Sequence, residues 1–163
     1  MYLRLTVVLA AALALAACQS GRRTNIDTSP KQAVLTVPAG AQSIKVAANT
    51  ETVRQTIVAN AIERGTAIAQ NQPNMVVLER TVTGANPALD SEFGPSDNGP
   101  RKFRIRVRFQ GAGCDTFVVQ DVAVVNNAGT ALEQVFTLTQ PQYNPRDSLV
   151  GLKTKAEASA SCI

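Results

Sequence analysis

Lys102-Phe103-Arg104-Ile105-Arg106-Val107-Arg108-Phe109 is the stretch on which the fold turns. Apolar and basic residues alternate through all eight positions. A period of two sends successive side chains to opposite faces of a strand. Phe103, Ile105, Val107 and Phe109 are therefore expected against a core, and Lys102, Arg104, Arg106 and Arg108 on the other, outward face. Gly111-Ala112-Gly113 follows as a turn. Thr116 to Val125 reads as a second strand with a blurred period, which points to a bulge near Asp121. Asn126-Asn127-Ala128-Gly129 turns again, and Leu132, Phe136 and Leu138 carry a third strand through Thr139. The three make an antiparallel meander.

Upstream, Ala33 to Val37 and Ser43 to Ala47 read as short strands separated by Pro38-Ala39-Gly40. Asn49 or Thr50 offers a helix N-cap, and Glu51 suits the positive end of the helix dipole. Val53, Ile57, Ala61 and Ile62 then fall on one helical face, and Gly65 fits the position just past the end. This predicts a helix from Glu51 to Arg64. Thr66 to Ala69 and Met75 to Val82 read as a hairpin around Gln70–Asn74. Thr83 to Pro100 has no periodicity and is long for a loop in a compact domain, so it is expected to be mobile or functional. Asn144-Pro145 has the form of an N-cap and first helical residue. It opens a closing helix with Leu149, Leu152 and Ala156 on its apolar face. The expected fold is α+β: an antiparallel sheet with an N-terminal and a C-terminal helix packed on one face.

Composition narrows the chemistry. The 163 residues carry a net charge of +4 and are 45% hydrophobic, which suits one domain and is only mildly basic. There is no histidine, which excludes a Ser-His-Asp triad and histidine metal ligands. There is no tryptophan, and two Tyr and five Phe are too few for an aromatic sugar-stacking platform. The acids Asp90, Glu92 and Asp97 lack the spacing of a calcium loop. No metal, no cofactor and no enzymatic role are expected.

The amino terminus supplies an address. Met1 to Ala17 (MYLRLTVVLAAALALAA) places Arg4 before an apolar run shorter than the ~20 residues that span a bilayer core. Leu15-Ala16-Ala17-Cys18 follows directly and resembles the lipobox of bacterial lipoproteins. The resemblance covers about the first twenty residues. It implies a signal peptide over 1–17 and a diacylglyceryl (palmitate-type) modification of the Cys18 thiol. It also implies cleavage before that residue and acylation of the new amino group. Three chains would hold the protein stably, at ~0.8 kcal/mol per buried methylene. Gln19, where Asp commonly marks inner-membrane retention in enterobacteria, implies the outer membrane, facing the periplasm. Residues 18–32 are then the lipidated cysteine and a polar tether in which Arg22 and Arg23 lie close to the lipid. Residues 33–163 form a single α+β domain.

With Cys18 used for lipidation, Cys114 and Cys162 remain. An even remainder in an oxidising compartment favours a disulfide between them, against two free thiols or a bond to a partner. The basic row has two readings. Cross-strand acids such as Glu79, Asp121 or Glu133 neutralise a solvated face, or Lys102, Arg104, Arg106 and Arg108 form a docking strip for anionic headgroups or an acidic protein. Nucleic acid is not an expected partner, because no aromatics interleave on that face. The expected function is a lipid-anchored, non-enzymatic binding module with an envelope protein as partner. The alternative is an accessory subunit of an envelope or secretion complex.

Overall fold

The computed structural model describes residues 34–140, 143 and 146–162. The expected signal peptide over 1–17, Cys18, the expected tether and the Asn144-Pro145 pair lie outside the described residues. Six strands and three helices are ordered β1 (Gln42–Val46), α1 (Thr50–Glu63), β2 (Ala67–Gln72), β3 (Met75–Thr81), α2 (Pro87–Phe93), β4 (Lys102–Ala112), β5 (Asp115–Asn126), β6 (Gln134–Thr137) and α3 (Asp147–Ser159). All strand pairs are antiparallel, in the order β1-β5-β4-β3-β2. β6 joins the β1 edge of β5 further along, pairing Ala123 with Thr137, while β1 pairs Gln120 with Gln42.

The fold class is α+β as the patterning dictates, with α1 and α3 on one face of the sheet. Asn49 caps α1 by accepting from the Thr52 amide at 2.8 Å, and Gly65 leaves it at φ 63°. Val53 and Ile57 of α1 and Leu149, Leu152 and Ala156 of α3 pack against Val76, Val107, Phe109 and Val118 of the sheet. A second cluster on the same face, under α2, joins Val122, Val124 and Leu138 to Phe93, Phe103 and Phe136. Among the described residues, no helix is long and apolar enough to cross a membrane.

Several local expectations change. Residues 34–38 form no strand, since the Leu35 amide bonds the Gln110 side chain at 2.8 Å rather than a neighbouring backbone. Gly40 then turns the chain at φ 76°, where an added Cβ would lie 2.3 Å from the Thr139 backbone. β2 runs on through Gln70-Asn71-Gln72, and the turn shrinks to Pro73-Asn74. Edge pairing uses backbone groups, so polar side chains do not end the strand. β4 continues through Gly111-Ala112, and the turn moves to Gly113-Cys114. β4 and β5 stay in continuous register from Lys102–Val125 to Ala112–Asp115, so no bulge interrupts β5 at Asp121. The blurred period of β5 comes from its central place: Val118, Val122 and Val124 are buried on one face, Val119 and Val125 on the other. β6 is shorter than expected, with Leu132 left 57% exposed. α3 starts at Asp147 behind Arg146, two residues after the expected Pro145.

The 83–100 segment is neither periodic nor loose. It contains α2, whose N-cap Asn86 accepts from the Leu89 amide at 3.2 Å, with Pro87 in the first turn. That Asn-Pro pair is a signal the sequence reading used only at Asn144-Pro145. Behind α2 lies a buried polar knot. The Arg101 guanidinium donates to Asn126 Oδ1 (2.7 Å), Asp90 Oδ1 (2.7 Å) and the Gly94 carbonyl, and Asn126 Nδ2 donates to the Phe93 carbonyl at 2.8 Å. Asn127, at φ 52°, accepts from the Asn98 amide and donates its own amide to Ser96 Oγ. Buried polar groups need such partners, and here they fasten the segment to the ends of β4 and β5.

Candidate functional site

The four basic residues of β4 do share one face, but they are not an exposed row. Arg106 donates to both Asp121 oxygens from Nε (3.0 and 3.2 Å) and to Oδ2 from Nη2 (2.8 Å), and Arg108 reaches the same carboxylate at 3.3 Å. Lys102 and Arg104 converge on Glu79 at 2.8 and 2.7 Å, and Arg104 also meets Glu133 at 3.1 Å. Desolvation would raise the Glu79 carboxyl, but hydrogen bonds from Lys102 and Arg104 outweigh it and hold it below the usual range. The Gly129 amide, helped by Arg104, lowers Glu133. The hydrogen bond to Asp121 raises the Arg106 guanidinium. Three acids thus answer four cations. The expectation of a fully exposed basic row is corrected: only Arg106 is exposed, and the other three are half-buried. The cross-strand acids named from the sequence are the partners found.

Cys114 and Cys162 are joined, with Cα atoms 5.8 Å apart and a sequence separation of 48. The bond ties the β4–β5 turn to the chain just past α3. α3 is also held by the Glu157 carboxylate, which accepts from the Ala47 amide at 2.7 Å.

The apolar row of β4 divides in two. Val107 and Phe109 are 2% and 1% exposed, beneath the helices. Phe103 and Ile105 are only half-buried, which corrects the expectation that the whole row is core. They line an open groove of about 360 Å³ that lies between the two apolar clusters. Leu78 and Val122 extend its floor; Ile57 and Asn60 of α1 and Gly151, Leu152 and Lys155 of α3 form its walls. Gly151 helps make the space, since a Cβ added there would meet nothing within 4 Å. The volume falls in the range of small-molecule sites, ~300–1,000 Å³, which are mostly apolar with a few placed polar groups. Lys155 spans from α3 to α1, donating to Asn60 Oδ1 (2.8 Å) and Glu63 Oε2 (2.9 Å). That bond lowers the Glu63 carboxyl.

Arg64 and Arg80 also line the groove. Arg80 pairs with Phe103 across β3 and β4, which puts it on the helix-bearing face. Sequence reading missed it. The signal was there, because alternation from Val76 through Leu78 sets Arg80 on the core side. Two polar hollows flank the 94–98 segment, one of about 520 Å³ beside Asn127–Gln134 and one of about 300 Å³ beside Val82–Asn86. Asp90, one of the loop acids weighed for calcium, is the ion partner of Arg101. Among the described residues, no three cysteine or carboxylate groups gather as metal ligands.

No family model matches the chain, and no curated protein sequence matches it. The functional reading rests on the groove and on the residues around it.

Proposed function

We propose that the chain is a lipid-anchored protein of the bacterial envelope whose domain is a non-enzymatic binding module, with the groove between α1, α3 and the sheet as its binding site. The observation that carries the binding role is the open groove itself: Phe103 and Ile105 stay half-buried along it, the buried Val107 lines its inner end, and Gly151 faces open space. A helix-interior glycine costs about 1 kcal/mol relative to alanine. A larger side chain at this lining position would narrow the groove. The address is supported by the lipobox resemblance at Leu15–Cys18.

Two experiments test this. Mass spectrometry of the mature amino terminus should find acylated Cys18, and Cys18→Ser should leave an unprocessed or soluble product. An unmodified terminus at another residue overturns the anchor. Solvent extraction of the natively purified protein should release a small apolar molecule that Gly151→Leu no longer retains. Equal recovery from both proteins overturns the binding site.

A further inference from the structure

We infer that the groove selects a single-chain amphiphile with an anionic head, whose apolar chain lies on Phe103 and Ile105 and whose carboxylate meets Arg80 and Arg64. This rests on the groove being the binding site and adds the chemistry of what enters it.

Charge distribution carries the inference. Every described lysine and arginine except Arg64, Arg80 and Arg146 forms an ion pair with a described acid. Two of those three line this groove, and its lining contains no aspartate or glutamate. The basic row on the opposite face, by contrast, is answered by Glu79, Asp121 and Glu133. Apart from Arg146, the described cations outside the groove are thus paired, while Arg80, and Arg64 beside the Lys155-bound Glu63, stand without an ion pair among the groove's lining residues. A carboxylate arriving there meets guanidinium donors that need not first break a salt bridge. A groove of about 360 Å³ is near the lower end of ligand-site volumes, which suits one chain rather than a two-chain lipid.

Position along the sheet supports the same orientation. Leu78 faces Ile105, and Arg80 faces Phe103, the next cross-strand pair on the same face. The apolar floor therefore runs directly into the arginine, so chain and head are read by neighbouring pairs of one sheet face.

The test uses the full-length chain refolded under oxidising conditions, with amide chemical shifts of the groove residues as the readout. The probes are dodecanoate below its micelle concentration, dodecanol, and phosphatidylglycerol vesicles. Dodecanoate should shift the amides of Phe103, Ile105 and Gly151 saturably, and dodecanol should bind more weakly. Arg80→Gln should weaken dodecanoate about three- to tenfold, in line with a partly exposed charge-assisted bond, and leave dodecanol unchanged. Gly151→Leu should abolish both. Equal binding of both probes, unaffected by Arg80→Gln, overturns the anionic head and keeps the groove. Shifts with vesicles alone overturn the free amphiphile in favour of a membrane surface. No groove shifts with any probe overturn both the inference and the site.

Discussion

Arg101 and Asn126 stand 25 residues apart in sequence and meet inside the domain, Arg101 Nε donating to Asn126 Oδ1 at 2.7 Å. Arg101 is 7% exposed and Asn126 is fully buried. Neither can turn to water if the other is lost, so the pair locks the 83–100 segment to the sheet.

Asn126→Ala should therefore be costly. It strips Arg101 of one acceptor and frees the Phe93 carbonyl, leaving buried polar groups short of partners. The expected loss is about 2–4 kcal/mol, read from the urea midpoint. A change below 0.5 kcal/mol (roughly the scatter for surface sites) would show that water replaces the lost bonds.

On β4 the two faces should respond differently. Val107→Asp should unfold the domain, because it places a charge among buried aliphatic side chains. Arg104→Ser with Arg106→Ser should lower stability by about 1–3 kcal/mol. Glu79 and Asp121, only 12% and 8% exposed, would keep Lys102 and Arg108 alone. Arg80→Ser, which removes no ion pair, should leave the melting temperature nearly unchanged. An unchanged Tm for the double variant would mean that the β4 network contributes nothing net.

The disulfide should act on α3. Thiol labelling of the denatured, unreduced protein should find neither Cys114 nor Cys162 free. Cys114→Ser with Cys162→Ser should cost about 2–4 kcal/mol. Hydrogen exchange should rise first in the last turn of α3, where the restraint ends. Two labelled thiols per chain would remove the restraint from the account.

Acid should weaken the fold. The Glu79, Glu133, Glu63 and Glu157 carboxyls sit below their ordinary 4.5, and the hydrogen bonds from Arg54 and Gln55 hold Glu51 down at about 2. Each is depressed in the folded state, so its contribution is complete above about pH 4.5 and lost as the pH falls through the lowered value. With no histidine, stability should be nearly flat from about pH 5.5 to 7.5. Denaturant midpoints between pH 2.5 and 7.5 check this, and Glu79→Gln should shallow the acid limb. A midpoint that rises on acidification would contradict it.

Much of the fold was legible because it is written in short-range terms. The period of two from Lys102 to Phe109, the Asn49 cap and the Gly65 exit are each local rules, and β4 and α1 follow them. The acids Glu79, Asp121 and Glu133 were also foreseeable, since a row of cations on a strand face needs neighbours of opposite sign. α2 was missed because one short helix in a Gly- and Pro-rich stretch has too few turns to show a period. The extension of β2 through three polar residues was missed because edge pairing is made by backbone that side-chain patterns do not report.

By itself, the sequence determined which way each side chain of β4 points and which residues could cap, turn or bridge, because those follow from backbone geometry one or two residues away. It also carries the Leu15-Ala16-Ala17-Cys18 stretch that resembles a lipobox. Only the tertiary structure decided how far α1 and α3 cover the apolar row, and so that Val107 is buried while Ile105, two residues earlier, stays half-buried in an open groove. Coverage depends on the packing of helices separated from β4 by tens of residues. The same holds for Arg80: alternation puts it on the helix-bearing face, but only the placement of the acids in three dimensions leaves it without an ion pair among the described residues.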